Sequence, residues 1–336
     1  MPLAYISDCD GPELTASEKR FFESHPPYGF ILFQKHCQSP QQVTQLVRDL
    51  RACVAHEAPV FIDMEGGRVA RLKPPYWELF PAAEVFAEAW LRDPQTAEDA
   101  CYANARHLAE TLTACGINAN CAPLADLRIR GAHDIIGDRA FGESPKAVIA
   151  LGRAQANGLM DGGVYPVLKH IPGHGRALAD SHFELPQVTV SLIELEQSDF
   201  IPFKALADLP FAMTAHITYD ALDSELPATL SPTAIDYIRH KLGFKGLLMS
   251  DDISMKALQG DLGSLSKDMI AAGCDLVLLC HSDSEMRQQV AEHCGTLPEA
   301  RMAVVPLLQA KPAKGDNWGA QCKALLQHAE HAIASA

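Results

Sequence analysis

Eight short apolar runs recur along the chain: Leu3–Ile6, Phe30–Phe33, Val60–Ile62, Ile117–Leu124, Val164–Leu168, Phe211–Thr214, Gly246–Met249 and Leu276–Leu279. They read as continuous rather than alternating, the pattern of strands buried on both faces. Between them lie segments with helical periodicity. Pro40–Val54 carries Val43, Leu46, Val47 and Leu50 on one face. Asp99–Cys115, Ser191–Leu206 and Ser231–Leu242 follow, the last with Ser231 as N-cap and Pro232 at the first helical position. Strand and helix alternate, and the strands number about eight. This predicts an α/β fold: a single (β/α)8 barrel of the TIM type with a C-terminal helical extension. An open doubly wound sheet would carry a Gly-rich phosphate turn after its first strand, and none occurs here. The 336 residues are expected to form one domain, 1–336, in which 295–336 supply a Pro-bearing connecting segment and a closing helix, Trp318–Ile333.

Charge and cysteine usage narrow the partners. Lys and Arg number 28 against 42 Asp and Glu, a net charge of −14. So acidic a chain is unsuited to tracking nucleic-acid phosphates or anionic lipid. No apolar run approaches the roughly 18 residues of a membrane span. The opening residues Met1–Asp10 have neither the basic nor the long apolar region of a secretory signal. Ten cysteines occur with no C-x-x-C pair, which suits reduced core thiols in a cytoplasmic protein. No nucleic acid, membrane or metal partner is expected, and no cofactor. The expected assembly is a monomer or weak oligomer.

Five of the apolar runs deliver ionisable residues at their carboxyl ends. Val60-Phe-Ile62 runs into Asp63-Met-Glu65-Gly-Gly-Arg68. Ala122–Ala125 precedes Asp126. Val167-Leu168 leads to Lys169-His170, Ala212–Ala215 to His216, and Leu247–Ser250 to Asp251-Asp252. In a barrel these ends converge on the face where active sites are built. The densest stretch, Lys169–His182, adds the turn-forming Pro172, Gly173 and Gly175, then Asp180 and His182 two residues apart. A carboxylate beside an imidazole fixes its tautomer and stabilises the imidazolium, as a general acid/base near neutral pH requires. Asp251 is the natural carboxylate partner. Asp252 or Ser254 is expected to cap a short helix, Met255–Gln259.

Taken together, Ile62-Asp-Met-Glu-Gly-Gly-Arg68 with Arg71, Ala122–Asp126, Gly137-Asp-Arg-Ala-Phe-Gly142, Lys169-His-Ile-Pro-Gly-His-Gly175, Asp180-Ser-His182, Met213–His216 and Ser250–Met255 resemble one family. It is the β-N-acetylhexosaminidases of glycoside hydrolase family 3, of the single-barrel cytoplasmic type that works in bacterial peptidoglycan recycling. The position after Lys-His is usually aromatic in that family. Here it is Ile171, read as a packing change.

The resemblance implies that Asp251 is the nucleophile and His182 the general acid/base, oriented by Asp180. It implies that Asp63, Arg71, Arg139, Lys169 and His170 hold the terminal sugar, while Glu65, Asp126 and His216 form a supporting shell. The implied substrate is a small glycan or muropeptide. A terminal β-N-acetylglucosamine would leave with retention, through a glycosyl-aspartate, from compounds such as GlcNAc-1,6-anhydro-muropeptides. A histidine would then stand where most retaining glycosidases use a second carboxyl. Three other readings stay open at this point. One is a phosphorylase of the same family, with phosphate in place of water. Another is a metal-dependent barrel hydrolase drawing on His170, His174, His182, His216 and Asp251. The third is a glycan sensor without turnover.

Overall fold

The computed structural model describes residues 1–131, 134–177, 184–308, 310–311 and 317–331. Eight parallel strands close a barrel in chain order. They are β1 (Leu3–Ser7), β2 (Pro27–Leu32), β3 (Val60–Ile62), β4 (Ala119–Asn120), β5 (Tyr165–Ile171), β6 (Phe211–Thr214), β7 (Leu247–Asp252) and β8 (Leu276–Leu279). The ring shuts where β1 pairs with β8, Tyr5 opposite Val277 and Ser7 opposite Leu279. The barrel predicted from the sequence is therefore the one observed.

The reason the runs read as continuous is visible in β3 and β8. Phe61, Leu276 and Leu278 point into the barrel and join Ile6, Ile31, Val167, Phe211, Met213 and Met249 there. Val60 and Ile62 face one group of surrounding helices, Val277 and Leu279 another. Both faces are buried, so no polar alternation is possible.

Several surrounding helices share one starting device. Ser39, Asp93 and Ser231 each accept a hydrogen bond from the backbone N–H three residues on, and each is followed by proline. This fixes Pro40–Ala52, Pro94–Ala114 and Pro232–His240. The second begins at Pro94 rather than at Asp99, as its Asp-Pro cap dictates. Two other expectations are corrected. Ser191–Leu206 is two helices, Leu192–Gln197 and Phe200–Ala205, because the Ser198 hydroxyl and the Asp199 carboxylate turn to each other and to Arg176. Met255–Gln259 is a set of turns, because Asp252 accepts from the Ser254 N–H and hydroxyl in a tight local loop.

The closing helix Trp318–His331 packs on Pro94–Ala114. Arg106 ties the two, lying over Trp318 and donating to the Lys311 carbonyl. No described helix is long and apolar enough to cross a membrane.

Candidate active site

The carboxyl ends of the strands enclose a cavity of about 230 Å³. Its walls include Asp63 beyond β3, Lys169 and His170 of β5, Asp251 and Asp252 of β7, and Arg71 and Arg139 from loops. The geometry thus brings Asp63, Arg71, Arg139, Lys169, His170 and Asp251 to one place. Asp180 and His182 lie outside the described residues.

The chain reaches this arrangement through a turn after β3. Met64–Gly66 and Val69–Ala70 pair antiparallel. Gly66 has φ +101°, and a Cβ there would stand 2.1 Å from the Pro81 carbonyl oxygen. Only glycine fits. The turn sets Asp63, Glu65 and Arg71 on the same side as Lys169.

These groups form a nearly dry ion cluster. The Lys169 ammonium lies 3.0 Å from Asp63 Oδ1 and 2.6 Å from Glu65 Oε1. Arg71 Nη2 donates to Asp63 Oδ2 at 2.9 Å. Arg139 donates to both Glu65 oxygens, at 2.8 and 2.9 Å, in the bidentate manner of a guanidinium on a carboxylate. The Lys169 side chain is 3% exposed. Burial alone would neutralise each group. Pairing outweighs it: Glu65 is held at about 2, Asp63 is held well below the usual carboxylate range by Lys169 and Arg71, and Lys169 is held above the usual lysine range. Three cations against two carboxylates leave one surplus positive charge facing the cavity.

A second cluster turns on Asp126. Its buried carboxylate accepts from His170 Nδ1 at 2.7 Å, from the His170 N–H, and from the His174 N–H at 2.6 Å. Burial raises its pKa, but the two histidines bring it below the ordinary value. The His170 ring therefore presents Nδ1 as donor to Asp126, which fixes its tautomer and plane.

Asp251 stands at the end of β7. Its Oδ1 accepts from the Asp252 N–H at 2.8 Å. Among the described residues no donor reaches its other oxygen, so one carboxylate oxygen is open towards the cavity. Burial pushes the carboxyl up, yet the neighbouring His170 and His216 rings, the Asp252 N–H and the Lys169 ammonium together hold it below its ordinary value. It is an ionised, partly free carboxylate, chemically fit to attack an electrophilic carbon. Asp252 is the opposite case. Burial raises it to about 6, although it accepts from Ser254 and from the Cys280 N–H. His216 braces this turn from below: Nε2 meets the Asp252 carbonyl at 3.0 Å and Nδ1 meets the Thr229 hydroxyl at 2.8 Å.

Sequence reasoning missed part of the wall. Phe33, Arg68, Met255 and His281 also line the cavity. His281 lies two residues past the end of β8, so the strand-end rule applied to all eight runs would have found it; Phe33, an apolar residue just past β2, carries no such signal. Among the described residues no group of three or more His, Cys, Asp or Glu side chains is placed to hold a metal ion.

Comparison with known proteins agrees with this architecture. Residues 15–305 match the family described as glycosyl hydrolase family 3 N terminal domain. A beta-hexosaminidase of Alkalilimnicola ehrlichii is 38% identical over 309 residues, covering 90% of this chain and 87% of that one. One from Bordetella avium is 34% identical over 334 residues, covering 98% and 94%. NagZ from Neisseria gonorrhoeae, solved in complex with N-trifluoroacetyl-D-glucosamine, superimposes with a TM-score of 0.87 at 30% identity over 98% of each chain. The chain belongs to glycosyl hydrolase family 3, as an enzyme of the β-hexosaminidase kind.

Proposed function

We propose that this enzyme removes a terminal, non-reducing β-N-acetylglucosamine with retention of configuration, through a covalent bond between C1 of the sugar and Asp251. The observation that carries this reading is the ionised Asp251 carboxylate, with one oxygen open, in the same cavity as Asp63, Arg71, Lys169, His170 and Arg139. Those five side chains hold the sugar's hydroxyl and acetamido groups. Carboxylate oxygens accept from hydroxyls, while the cations donate to oxygens.

In the first step Asp251 attacks C1, and His182, oriented by Asp180, gives a proton to the departing glycosidic oxygen. In the second, neutral His182 takes a proton from water, which attacks C1 and frees Asp251. The unperturbed histidine pKa of about 6.5 suits both halves, and help of this kind is worth about 10²–10⁴-fold. A neutral base also places no second negative charge beside Asp251. The whole chain, 1–336, acts as one catalytic unit. Its substrates are GlcNAc-1,6-anhydro-muropeptides in the cytoplasm, during peptidoglycan recycling.

The test is to trap the intermediate. A slow fluorinated β-N-acetylglucosaminyl fluoride should leave a sugar on the peptide carrying Asp251, and none on Asp251→Ala. His182→Ala should slow alkyl glycosides far more than aryl glycosides with good leaving groups. Label on another residue, or equal losses on both substrate types, would refute the assignment. Release of sugar 1-phosphate in phosphate buffer would convert the reading to a phosphorylase.

A further inference from the structure

Among the described side chains that line the cavity, two are exposed: Arg68 and His281. They mark its mouth. Lys169, Arg139 and Asp63 lie deeper, their side chains 3%, 10% and 16% exposed. A terminal sugar gripped by those groups must direct whatever it is attached to outwards, past the mouth.

Arg68 is engaged there through two of its three guanidinium nitrogens. Its Nε donates to Asp138, and Nη2 donates to the carbonyls of Asp134 and Ile135. His281 is different. Its ring centroid lies 4.1 Å from that of Phe33, which backs it at a tilt of 36°, and the residue as a whole is exposed. Phe33 in turn carries the Arg71 guanidinium 5.5 Å from its ring centre.

The backbone at His281 is strained. Its φ is +49°, and among the described residues no other non-glycine residue has a positive φ. Such a conformation persists only where the surroundings over-determine it. They do so here from both sides. Asp252 accepts from the N–H of Cys280 at 3.1 Å, and Asp8 accepts from the N–H of Ser282 at 3.0 Å. Asp8 is itself fixed by Lys35 at 2.8 Å. Two carboxylates at the rim therefore pin the residues flanking His281 and force its ring onto Phe33. Burial lowers the imidazole's pKa, so at neutral pH the ring is an uncharged face.

We propose that His281, backed by Phe33, is the platform of a leaving-group subsite for a neutral pyranose ring, which lies against the imidazole while the terminal sugar occupies the floor. The inference rests on the β-N-acetylglucosaminidase reading and adds what the enzyme recognises on the far side of the scissile bond. The apolar C–H face of a pyranose suits an aromatic surface, and a contact of this kind is worth about five- to tenfold in affinity.

The test compares N,N′-diacetylchitobiose with methyl β-N-acetylglucosaminide. Both release an alcohol whose departure needs the proton from His182, but the first alone offers a leaving ring. In His281→Gly and His281→Asn, the ratio of kcat/KM for the disaccharide to that for the methyl glycoside should fall about five- to tenfold. Both replacements tolerate the positive φ, so the loop is preserved. His281→Phe should restore the ratio to within about twofold. A ratio unchanged in the Gly and Asn variants, or equal falls on both substrates, would overturn the proposal. Should the unmodified enzyme turn over neither substrate, the glycosidase reading fails first and takes this subsite with it.

Discussion

The ionisable residues after the strands were legible because a buried strand must end in something polar, and five ends carried side chains suited to one chemistry. What the sequence did not disclose is how they neutralise one another. Lys169 serves two carboxylates, and Glu65 is shared between Lys169 and Arg139. Such sharing depends on distances across strands that lie far apart in the chain. It also sets the effect of losing Lys169. Lys169→Met leaves Asp63 with Arg71 and Glu65 with Arg139, so neither carboxylate is stranded. The cluster nonetheless loses its central charge in a dry site, and we expect a loss of about 3 kcal/mol in unfolding free energy, the low end for breaking a buried ion pair. Urea unfolding measures it. A change below about 1 kcal/mol would mean that water reaches the cluster.

Among the elements, all eight strands were readable in number and order, since their apolar runs are set by burial, but their ends were not: Ile117–Leu124 is strand only over Ala119–Asn120, and Val164–Leu168 extends to Ile171. The helices were less so where side chains compete with the backbone. Ser198, Asp199 and Arg176 divide one expected helix in two, and Asp252 with Ser254 replaces another by turns. Asp126 shows the same competition put to use. It lies just beyond β4 and fastens the end of β5 by three kinds of donor: the His170 ring, the His170 N–H and the His174 N–H. Asparagine there must turn an amide N–H towards one of these donors. Asp126→Asn should therefore lose about 1–3 kcal/mol of stability. It should also release the His170 tautomer, seen as loss of a hydrogen-bonded Nδ1 proton in the NMR spectrum. A variant with unchanged stability and an unchanged Nδ1 signal would show that Asp126 does not fasten these two elements.

For the whole molecule, the ionisable groups of this face predict how stability follows pH. Burial lowers His174 to about 4, and lowers His36 and His281 as well. A folded imidazole that binds protons less readily than the unfolded chain favours unfolding in acid, so this stability is present above about pH 6.5 and is lost as the pH falls. Asp252, raised to about 6, has the opposite sign. Its contribution is full below about pH 4 and disappears as the pH rises through 6. His174 and Asp252 each amount to something on the order of 3 kcal/mol, and nearly cancel. His36 and His281 tip the balance, giving a shallow decline between pH 7 and 4.5. Below that Glu65, held at about 2, and Asp63, Asp126 and Asp251, all below their ordinary values, bind protons less readily in the fold than in the unfolded chain, so acid favours unfolding. Their stabilisation is present above about pH 4.5 and falls away towards pH 2, a much steeper limb. Denaturant midpoints taken from pH 8 to pH 3 should show these two slopes. Asp252→Asn should steepen the upper one, because it removes the carboxyl that opposes the histidines, while Glu65→Gln should flatten the lower one. An upper slope that Asp252→Asn leaves untouched would mean that this carboxyl titrates as an ordinary aspartate, and that the turn holding Asp251 is open to water.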